Sequence, residues 1–187
     1  MTREAEALSG RTFDVAVIGG GITGACIAHD AALRGLSVVL LEKGDFGAAT
    51  SAASSKLLHG GIRYLQQFEW GKVRESASER SAFLHIAPHL VRWIPFLIPT
   101  TSAFSKGRWL LGAGVGLYHL LTAGAGGTPE PRHDRPSDGF LAREELLARY
   151  PALQGIDQLT GAWVIHEAHM YSSERMTLAF VQSARRH

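Results

Sequence analysis

The order of apolar and polar stretches in the first 42 residues predicts a strand, a helix and a second strand. Val15–Ile18 is a continuous apolar run, typical of a strand buried on both faces of a parallel sheet. An Ala-rich segment follows and predicts a helix that Gly35 ends. The apolar run 37–41 predicts the next strand. This order favours an α/β fold built on a parallel sheet.

The turn between the first strand and the helix has the pattern G-x-G-x-x-G, formed by Gly19, Gly21 and Gly24, with Gly20 between the first two. Such glycines permit a tight turn, a close backbone approach to a pyrophosphate and close packing of the helix on the strand. Glu42 stands at the end of the second strand, where a carboxylate can accept hydrogen bonds from ribose hydroxyls and repel a 2′-phosphate. We therefore predict a dinucleotide site that disfavours NADP. The alternative is a glycine turn that binds no ligand.

The remainder of the chain predicts a mixture of helices and strands. A polar run of small residues, 44–55, predicts a loop at the carboxyl edge of the sheet. The other predicted elements are a helix over 72–87, an edge strand or extended crossing segment over 93–100, a linker over 122–139, a helix over 141–150, a strand at 163–165 and a final helix capped by Ser172 or Ser173.

The apolar stretch from Trp109 to Leu121 is too short to span a bilayer, which takes about 20 apolar residues in a helix. It contains Gly112, Gly114 and Gly116. We favour a buried helix that packs closely through these glycines. The alternative is a surface that docks on a membrane.

Composition narrows the class of protein. The 187 residues carry a formal net charge of +2 with the basic residues scattered, which does not indicate nucleic-acid binding. Cys26 is the only cysteine, so no intramolecular disulfide can form and a reducing compartment is expected. The first ten residues contain acids and no apolar core, so they do not form a signal peptide, and we expect a cytoplasmic protein.

The stretch from Thr50 to Leu65 ends in the motif HGG-x-RYL. Together with the glycine turn and Glu42, it closely resembles the FAD-dependent, quinone-linked glycerol-3-phosphate dehydrogenases. The resemblance extends through Glu79-Arg80 and residues 87–90 and continues more weakly to residues 173–179. It departs over residues 163–173, where aspartates are common in that family near the positions of Ser172 and Ser173. It implies a Rossmann-like FAD-binding βαβ half-domain, followed by part of an α+β substrate domain, in a truncated amino-acid-oxidase-type flavoprotein fold. The implied domains are 1–92 for FAD, 93–171 for the substrate or cap, and 172–187 as a crossover helix returning to the FAD domain.

The resemblance also implies roles for individual residues. Arg63 offers a planar fork suited to phosphate, and His59 carries an imidazole, a group that can act as a base at neutral pH. The implied catalytic or substrate residues are His59, Arg63 and Tyr64, and the implied cofactor-binding residues are Gly19, Gly20, Gly21, Gly24, Glu42, Lys43, Thr50, Ser54 and Lys56.

Purely structural roles remain open for the same residues. His59 would then anchor a turn, Arg63 would pair with Glu69 or Glu75, and Tyr64 would be a core residue. The remaining histidines have no partner at a spacing that makes a convincing metal site, so we predict no metal.

The function implied by the resemblance is oxidation of sn-glycerol 3-phosphate to dihydroxyacetone phosphate, with electrons passed to quinone and peripheral contact with the inner face of the cytoplasmic membrane. Because family members are much longer, we expect an N-terminal fragment with little or no turnover alone. The alternatives are another flavoenzyme of the amino-acid oxidase superfamily, a non-catalytic FAD- or ADP-binding module and, more weakly, an NAD-linked dehydrogenase. The sequence does not indicate an oligomeric state.

Overall fold

The structure, a computed structural model, describes residues 8–124 and 135–187. The described chain forms two compact units. The first contains the described part of Met1–Lys56 together with Ser172–His187, and the second is Leu57–Tyr171. Residues 57–92, which the resemblance implied to be part of the FAD-binding domain, belong to the second unit in this structure. The reason is that strand β3, Leu57–Leu58, pairs with a long strand of that unit.

The first unit contains the predicted strand-helix-strand arrangement. Strands β1 (Val15–Ile18) and β2 (Val38–Leu41) pair in parallel and are joined by helix α1 (Ile22–Leu33). Gly35 follows the helix with a φ of +81°, a conformation that suits glycine. Helix α5 (Ser173–Ala184) packs against α1. The buried residues of the two helices are Ala25, Ala28, Ala31 and Ala32 on α1, and Ser173, Met176, Thr177, Phe180 and Val181 on α5.

The expectation that β1 is buried on both faces is wrong for this structure. Ala16 is exposed, and Ile18 is 87% exposed. The cause is that the described sheet of this unit has only two strands, so much of its apolar surface lacks a covering layer. Strand β2 also begins one residue later than predicted. Ser37 instead hydrogen bonds to the Asp14 carboxylate through both its backbone N–H (2.8 Å) and its hydroxyl (2.6 Å).

The second unit is built on an antiparallel sheet around one long strand, β6 (Leu159–Met170). Strand β4 (Val91–Thr101) runs along it, and β3 and β5 (Gly139–Ala142) also pair with it. The predicted strand at 163–165 is thus the middle of a longer one. Among the described strands, β4 pairs only with β6, so the expected edge strand is confirmed, and its Pro95 and Pro99 are tolerated because an edge strand does not need every N–H.

Helices α2 (Trp70–Ile86), α3 (Arg108–Thr122) and α4 (Arg143–Arg149) complete the second unit, with 3-10 helices at Ile62–Gln67, Pro88–Leu90, Phe104–Lys106 and Pro151–Gly155. Helix α4 is shorter than predicted because residues 141–142 belong to β5. The predicted linker over 122–139 lies mostly outside the described residues. Its two ends belong to α3 and β5.

The expectation of a buried helix at α3 is only partly right. Val115 and Tyr118 are buried, whereas Trp109 is 83% exposed and Leu120 is 73% exposed. Of the three glycines, only Gly112 has a close neighbour, since a Cβ there would lie 2.6 Å from the Trp163 ring. Within the described residues, no helix has the length and apolar character needed to cross a membrane.

Candidate functional site

The glycine turn has the close packing that its sequence predicts. Gly19 has a φ of +106°, which favours glycine. A Cβ on Gly24 would lie 1.9 Å from the Gly19 carbonyl oxygen and 3.3 Å from a methyl of Val17, so helix α1 lies directly against the turn and β1. A Cβ on Gly20 would meet the Phe46 ring at 2.4 Å. Gly20 and Gly24 therefore have no room for a side chain.

A serine that the sequence analysis did not single out lies at the N-terminus of α1. The Ser51 hydroxyl accepts a hydrogen bond from the Ile22 backbone N–H at 2.9 Å, and a Cβ on Gly21 would lie 3.2 Å from it. This end of a helix favours anions because its N–H groups and dipole point toward them. Nothing in the local sequence distinguishes Ser51 from its neighbours Ser54 and Ser55.

Glu42 lies beside the turn at the end of β2. Its carboxylate accepts hydrogen bonds from the backbone N–H groups of Gly44 at 2.7 Å and Gly20 at 2.8 Å. Both bonds lower the pKa of Glu42, and the bond from Gly44 has the larger effect, so the carboxylate is an anion at neutral pH. Each carboxylate oxygen keeps capacity for another donor, such as a ribose hydroxyl. The residues around the turn thus fit an adenine dinucleotide.

The other residues assigned to the cofactor lie in the loop that follows. Lys43 and Thr50 are exposed. The Ser54 hydroxyl donates to the Ser51 carbonyl and accepts from the Lys56 N–H, so it holds the loop together. Lys56 has a φ of +58°, and its ammonium lies 3.7 Å from the Glu174 carboxylate. Their cofactor roles stay predictions.

In the second unit, two of the three predicted catalytic residues line one cavity. His59 and Tyr64 meet edge to face, with ring centroids 6.0 Å apart, on a cavity of about 380 Å³. Arg63 is exposed and is not part of its lining. The other lining residues, from β3 and α2, are Leu57, Leu58, Lys72, Glu75, Ser76, Glu79, Arg80 and Phe83.

The ion pairs around this cavity bear on the purely structural role suggested for Arg63. Glu69 pairs with Lys72, whose ammonium lies 2.9 Å from the carboxylate and 5.7 Å from the centre of the Tyr64 ring. Among the described residues, no carboxylate forms an ion pair with Arg63, so the suggested pairing with Glu69 or Glu75 is not present. Arg63 is left exposed to solvent.

A buried network lies under the HGG turn, and the sequence analysis missed it. The Glu167 carboxylate accepts hydrogen bonds from Arg80 at 2.7 Å, from Tyr118 at 2.9 Å and from the Gly60 backbone N–H at 2.7 Å. Arg80 also donates to the Tyr118 hydroxyl at 2.9 Å. All three side chains are buried. Burial, followed by the negative charge of Glu167, raises the pKa of Tyr118 well above its ordinary value. The only available signal was a lone acid in an apolar strand.

A second polar cluster surrounds Asp138. Its carboxylate lies 2.8 Å from the His166 ring, 3.2 Å from His119 and 3.0 Å from Arg135, and it also accepts from the His166 backbone N–H. Burial opposes ionisation, but the bonds from His119 and His166 and the Arg135 charge outweigh it and lower the pKa of Asp138 to about 2. In the described part of the chain, no three histidine, cysteine or acidic side chains form a metal-binding group.

Comparison with known proteins now assigns the chain to a family. The family described as FAD dependent oxidoreductase, DAO, matches residues 14–187. The chain belongs to this family. The DAO family accounts for the glycine turn and confirms both the predicted amino-acid-oxidase-type fold and FAD as the cofactor.

The relatives of this DAO-family chain include several proteins named glycerol-3-phosphate dehydrogenase, which confirms the resemblance found in the sequence. It is 49% identical over 145 residues to glycerol-3-phosphate dehydrogenase 2 of Mycobacterium tuberculosis, covering 77% of this chain and 24% of that protein. It is 36% identical over 182 residues to the mitochondrial glycerol-3-phosphate dehydrogenase of Rattus norvegicus, covering 94% and 23%.

A solved structure gives the same result. The glycerol-3-phosphate dehydrogenase of Bacillus halodurans, complexed with FAD, matches with a TM-score of 0.62 and 26% identity, covering 96% of this chain and 26% of that one. The chain therefore spans about a quarter of the length of these relatives.

Proposed function

We propose that this chain belongs to a glycerol-3-phosphate dehydrogenase, which oxidises sn-glycerol 3-phosphate to dihydroxyacetone phosphate with FAD and passes the electrons to quinone. The observation that carries the proposal is the HGG-x-RYL stretch, whose His59 and Tyr64 line one cavity. The 49% identity to a protein of that name supports it.

The first unit supplies the residues for the cofactor. In this proposal the turn at Gly19, Gly21 and Gly24 holds the pyrophosphate, because these glycines carry no side chains of their own and the turn lies at the N-terminus of α1. Glu42 accepts hydrogen bonds from the adenosine ribose. The chemistry that bound FAD would supply is acceptance of the hydride that leaves C2 of the substrate.

The second unit supplies the residues for the substrate. His59 takes the proton of the C2 hydroxyl on a ring nitrogen, and the Tyr64 ring limits the orientation of the imidazole by edge-to-face contact. Arg63 binds the phosphate dianion with its guanidinium fork. The phosphate points away from the cavity in this proposal, because Arg63 lies outside the cavity lining.

Binding and turnover can be tested separately on the purified chain. We expect the chain to keep the visible spectrum of FAD after gel filtration has removed the free cofactor. We also expect calorimetric binding of glycerol 3-phosphate that Arg63→Gln weakens about tenfold, as loss of a charge-assisted hydrogen bond predicts. Arg143→Gln removes an exposed arginine of α4 and is the control. Neither variant should change the binding of glycerol, which lacks the phosphate.

A dye-reduction assay tests the reaction itself. We expect little reduction by the chain alone, and any reduction to require glycerol 3-phosphate and His59, so that His59→Gln abolishes it. Robust dye reduction by the chain would refute the expectation of low turnover but support the function. Peroxide formation with an amine, and none with glycerol 3-phosphate, would instead indicate an oxidase. Binding of ADP without flavin reduction by any polyol phosphate would indicate a nucleotide-binding module.

We also propose a cytoplasmic protein with peripheral membrane contact through the exposed side of α3 and the 3-10 helix before it. This surface, the α3 surface, consists of Phe104 (88% exposed), Trp109, Leu110, Leu117 and Leu120. Lys106 and Arg108 lie at the same end as the aromatic residues. Aromatic and aliphatic side chains beside cations suit the interface of an anionic bilayer.

Sedimentation with vesicles tests the α3 surface. We expect the chain to sediment with vesicles that contain anionic lipid, and Trp109→Ser with Leu120→Ser to reduce the bound fraction. Ile86→Ser removes an exposed apolar side chain from α2 and is the control. If the chain stays in the supernatant at low salt, or if the control has the same effect, the proposed membrane contact is wrong.

A further inference from the structure

We propose that Glu167 is a positioning residue, which fixes the orientation of His59 by holding the backbone N–H of Gly60. The inference rests on the proposed function only for the role of His59. The contact itself belongs to the second unit and is independent of any ligand.

The geometry of the peptide bond links the Gly60 N–H to His59. The N–H of Gly60 and the carbonyl of His59 belong to one planar peptide group. A hydrogen bond of 2.7 Å from that N–H to the Glu167 carboxylate therefore fixes the plane next to the His59 Cα. Because Gly60 is buried, its N–H cannot turn to water as an alternative partner.

The turn is held from two sides. Under Gly60, a Cβ would lie 1.8 Å from the Tyr118 hydroxyl and 2.3 Å from an Arg80 nitrogen, so a side chain there would displace the groups that contact Glu167. Gly61 has a φ of +82°, and a Cβ there would lie 3.1 Å from the Val73 Cα of helix α2. The backbone that carries His59 therefore lies between a buried ionic network and a helix.

A purely structural role for the network is a weak explanation. Buried ion pairs are often no more stabilising than apolar side chains of similar volume. Glu167 and Arg80 are each 2% exposed, and Tyr118 is fully buried. An apolar replacement would fill the same space but could not accept the Gly60 N–H. The carboxylate can, because one oxygen serves Arg80 and Gly60 while the other serves Tyr118.

Amide hydrogen exchange, measured by NMR without substrate, tests this contact. We expect Glu167→Ala to accelerate exchange of the Gly60 amide at least about tenfold beyond any global change, because its charged acceptor is lost. The His166 amide, which donates to Asp138 at 2.8 Å, is the internal reference for global opening. Thr100→Val removes the hydrogen bond of a buried hydroxyl to Thr160 elsewhere in the sheet and is the control.

A conservative variant separates positioning from charge balance. Glu167→Gln keeps an oxygen acceptor for Gly60 but removes the negative charge that faces Arg80. We expect Gln to restore slow exchange of the Gly60 amide and the wild-type chemical shift of the His59 imidazole, which depends on its contact with the Tyr64 ring. If charge balance is the whole role, Gln will behave like Ala.

If Glu167→Ala does not fold, Tyr118→Phe can replace it, because this variant removes one of the groups that hold the Glu167 carboxylate. Tyr118→Phe should accelerate exchange of the Gly60 amide, but less than Glu167→Ala would. The proposal is overturned if the Gly60 and His166 amides accelerate equally in these variants, or if the His59 signal moves as far in Thr100→Val. Failure of flavin or substrate binding would count against the proposed function and leave this contact unaffected.

Discussion

Replacing Gly24 with alanine should disturb both the first unit and its nucleotide site. The new Cβ would lie 1.9 Å from the Gly19 carbonyl oxygen. A carbon and a carbonyl oxygen do not normally approach closer than about 3.3 Å, so the contact must lengthen by more than 1 Å. The obstacle is backbone on both sides. Relief therefore requires α1 to move away from β1, or the turn at Gly19 to change shape.

The expected cost follows from two opposing effects. Overpacking of a well-packed site costs about 1–3 kcal/mol, and a collision with backbone belongs at the upper end. Alanine in a helix gains about 1 kcal/mol over glycine. We therefore expect Gly24→Ala to lower the free energy of unfolding of the first unit by about 2 kcal/mol. Because the Gly19 backbone is also the proposed pyrophosphate contact, we expect ADP to bind at least tenfold more weakly, a loss of about 1.4 kcal/mol.

Urea unfolding followed by circular dichroism, and calorimetric titration with ADP, measure the two effects. Thr23→Ala changes the neighbouring exposed position of α1 and should not weaken the unit. Gly114→Ala is the glycine control in α3, where a Cβ meets nothing within 4 Å, and it should stabilise the second unit by up to about 1 kcal/mol. If Gly24→Ala matches Thr23→Ala in stability and in ADP affinity, the packing argument is wrong.

Two further predictions concern charged groups. The pKa of Asp138 is about 2, against an ordinary value of 3.8, and this difference contributes about 2 kcal/mol to the free energy of unfolding. Because folding lowers the pKa, the contribution is present above pH 4 and is lost as the pH falls through 2. Asp138→Asn should therefore unfold at a lower urea concentration than the unchanged chain at pH 7, and this difference in stability should nearly vanish at pH 2. A difference that does not depend on pH would contradict the lowered pKa of Asp138. Glu42→Gln should weaken ADP binding about tenfold by removing a charged acceptor, while Glu144→Gln, an exposed acid of α4, should leave the calorimetric titration unchanged.

The nucleotide-binding unit was predictable because its signals are local. The turn glycines, the helix and Glu42 lie within 28 residues of Val15, and each is recognised from its neighbours in the sequence. The burial of β1 was not predictable in the same way. An apolar run indicates which side chains favour burial, whereas actual burial depends on the layers beside the strand, and the described sheet has only two strands.

The network around Glu167 was hidden because its members are far apart in the sequence. Glu167 meets Arg80 across 87 residues and Gly60 across 107. Tyr118 lies in the apolar stretch that predicts a buried helix, and nothing in that stretch indicates a polar network. A lone acid in an apolar strand indicates a buried partner, since a buried charge without one is costly. It does not identify which of the arginines that partner is.

The three predicted catalytic residues also show the limit of adjacency in sequence. His59 and Tyr64 share a cavity, whereas Arg63 is outside its lining. Arg63 and Tyr64 lie in the 3-10 helix at Ile62–Gln67, where successive side chains point about 120° apart because three residues make a turn. Side chains that point this far apart need not face the same cavity, and of these two only Tyr64 lines it. Which of these side chains line the cavity depends on the 3-10 backbone, and the motif alone does not reveal that backbone conformation.

The departure from the dehydrogenase pattern near Ser172 leaves the start of α5 intact for a reason visible in the structure. The Ser172 hydroxyl accepts from the Arg175 N–H at 3.1 Å, and serine caps a helix about as well as aspartate. A capping aspartate would also bring a negative charge to the helix dipole. Here Glu174, in the first turn of α5, supplies the negative charge. Hydrogen bonds from the Glu174 N–H and from the Ser172 hydroxyl lower the pKa of the Glu174 carboxyl. Because charge and cap come from separate residues, weak similarity at this point does not weaken the return of α5 to α1.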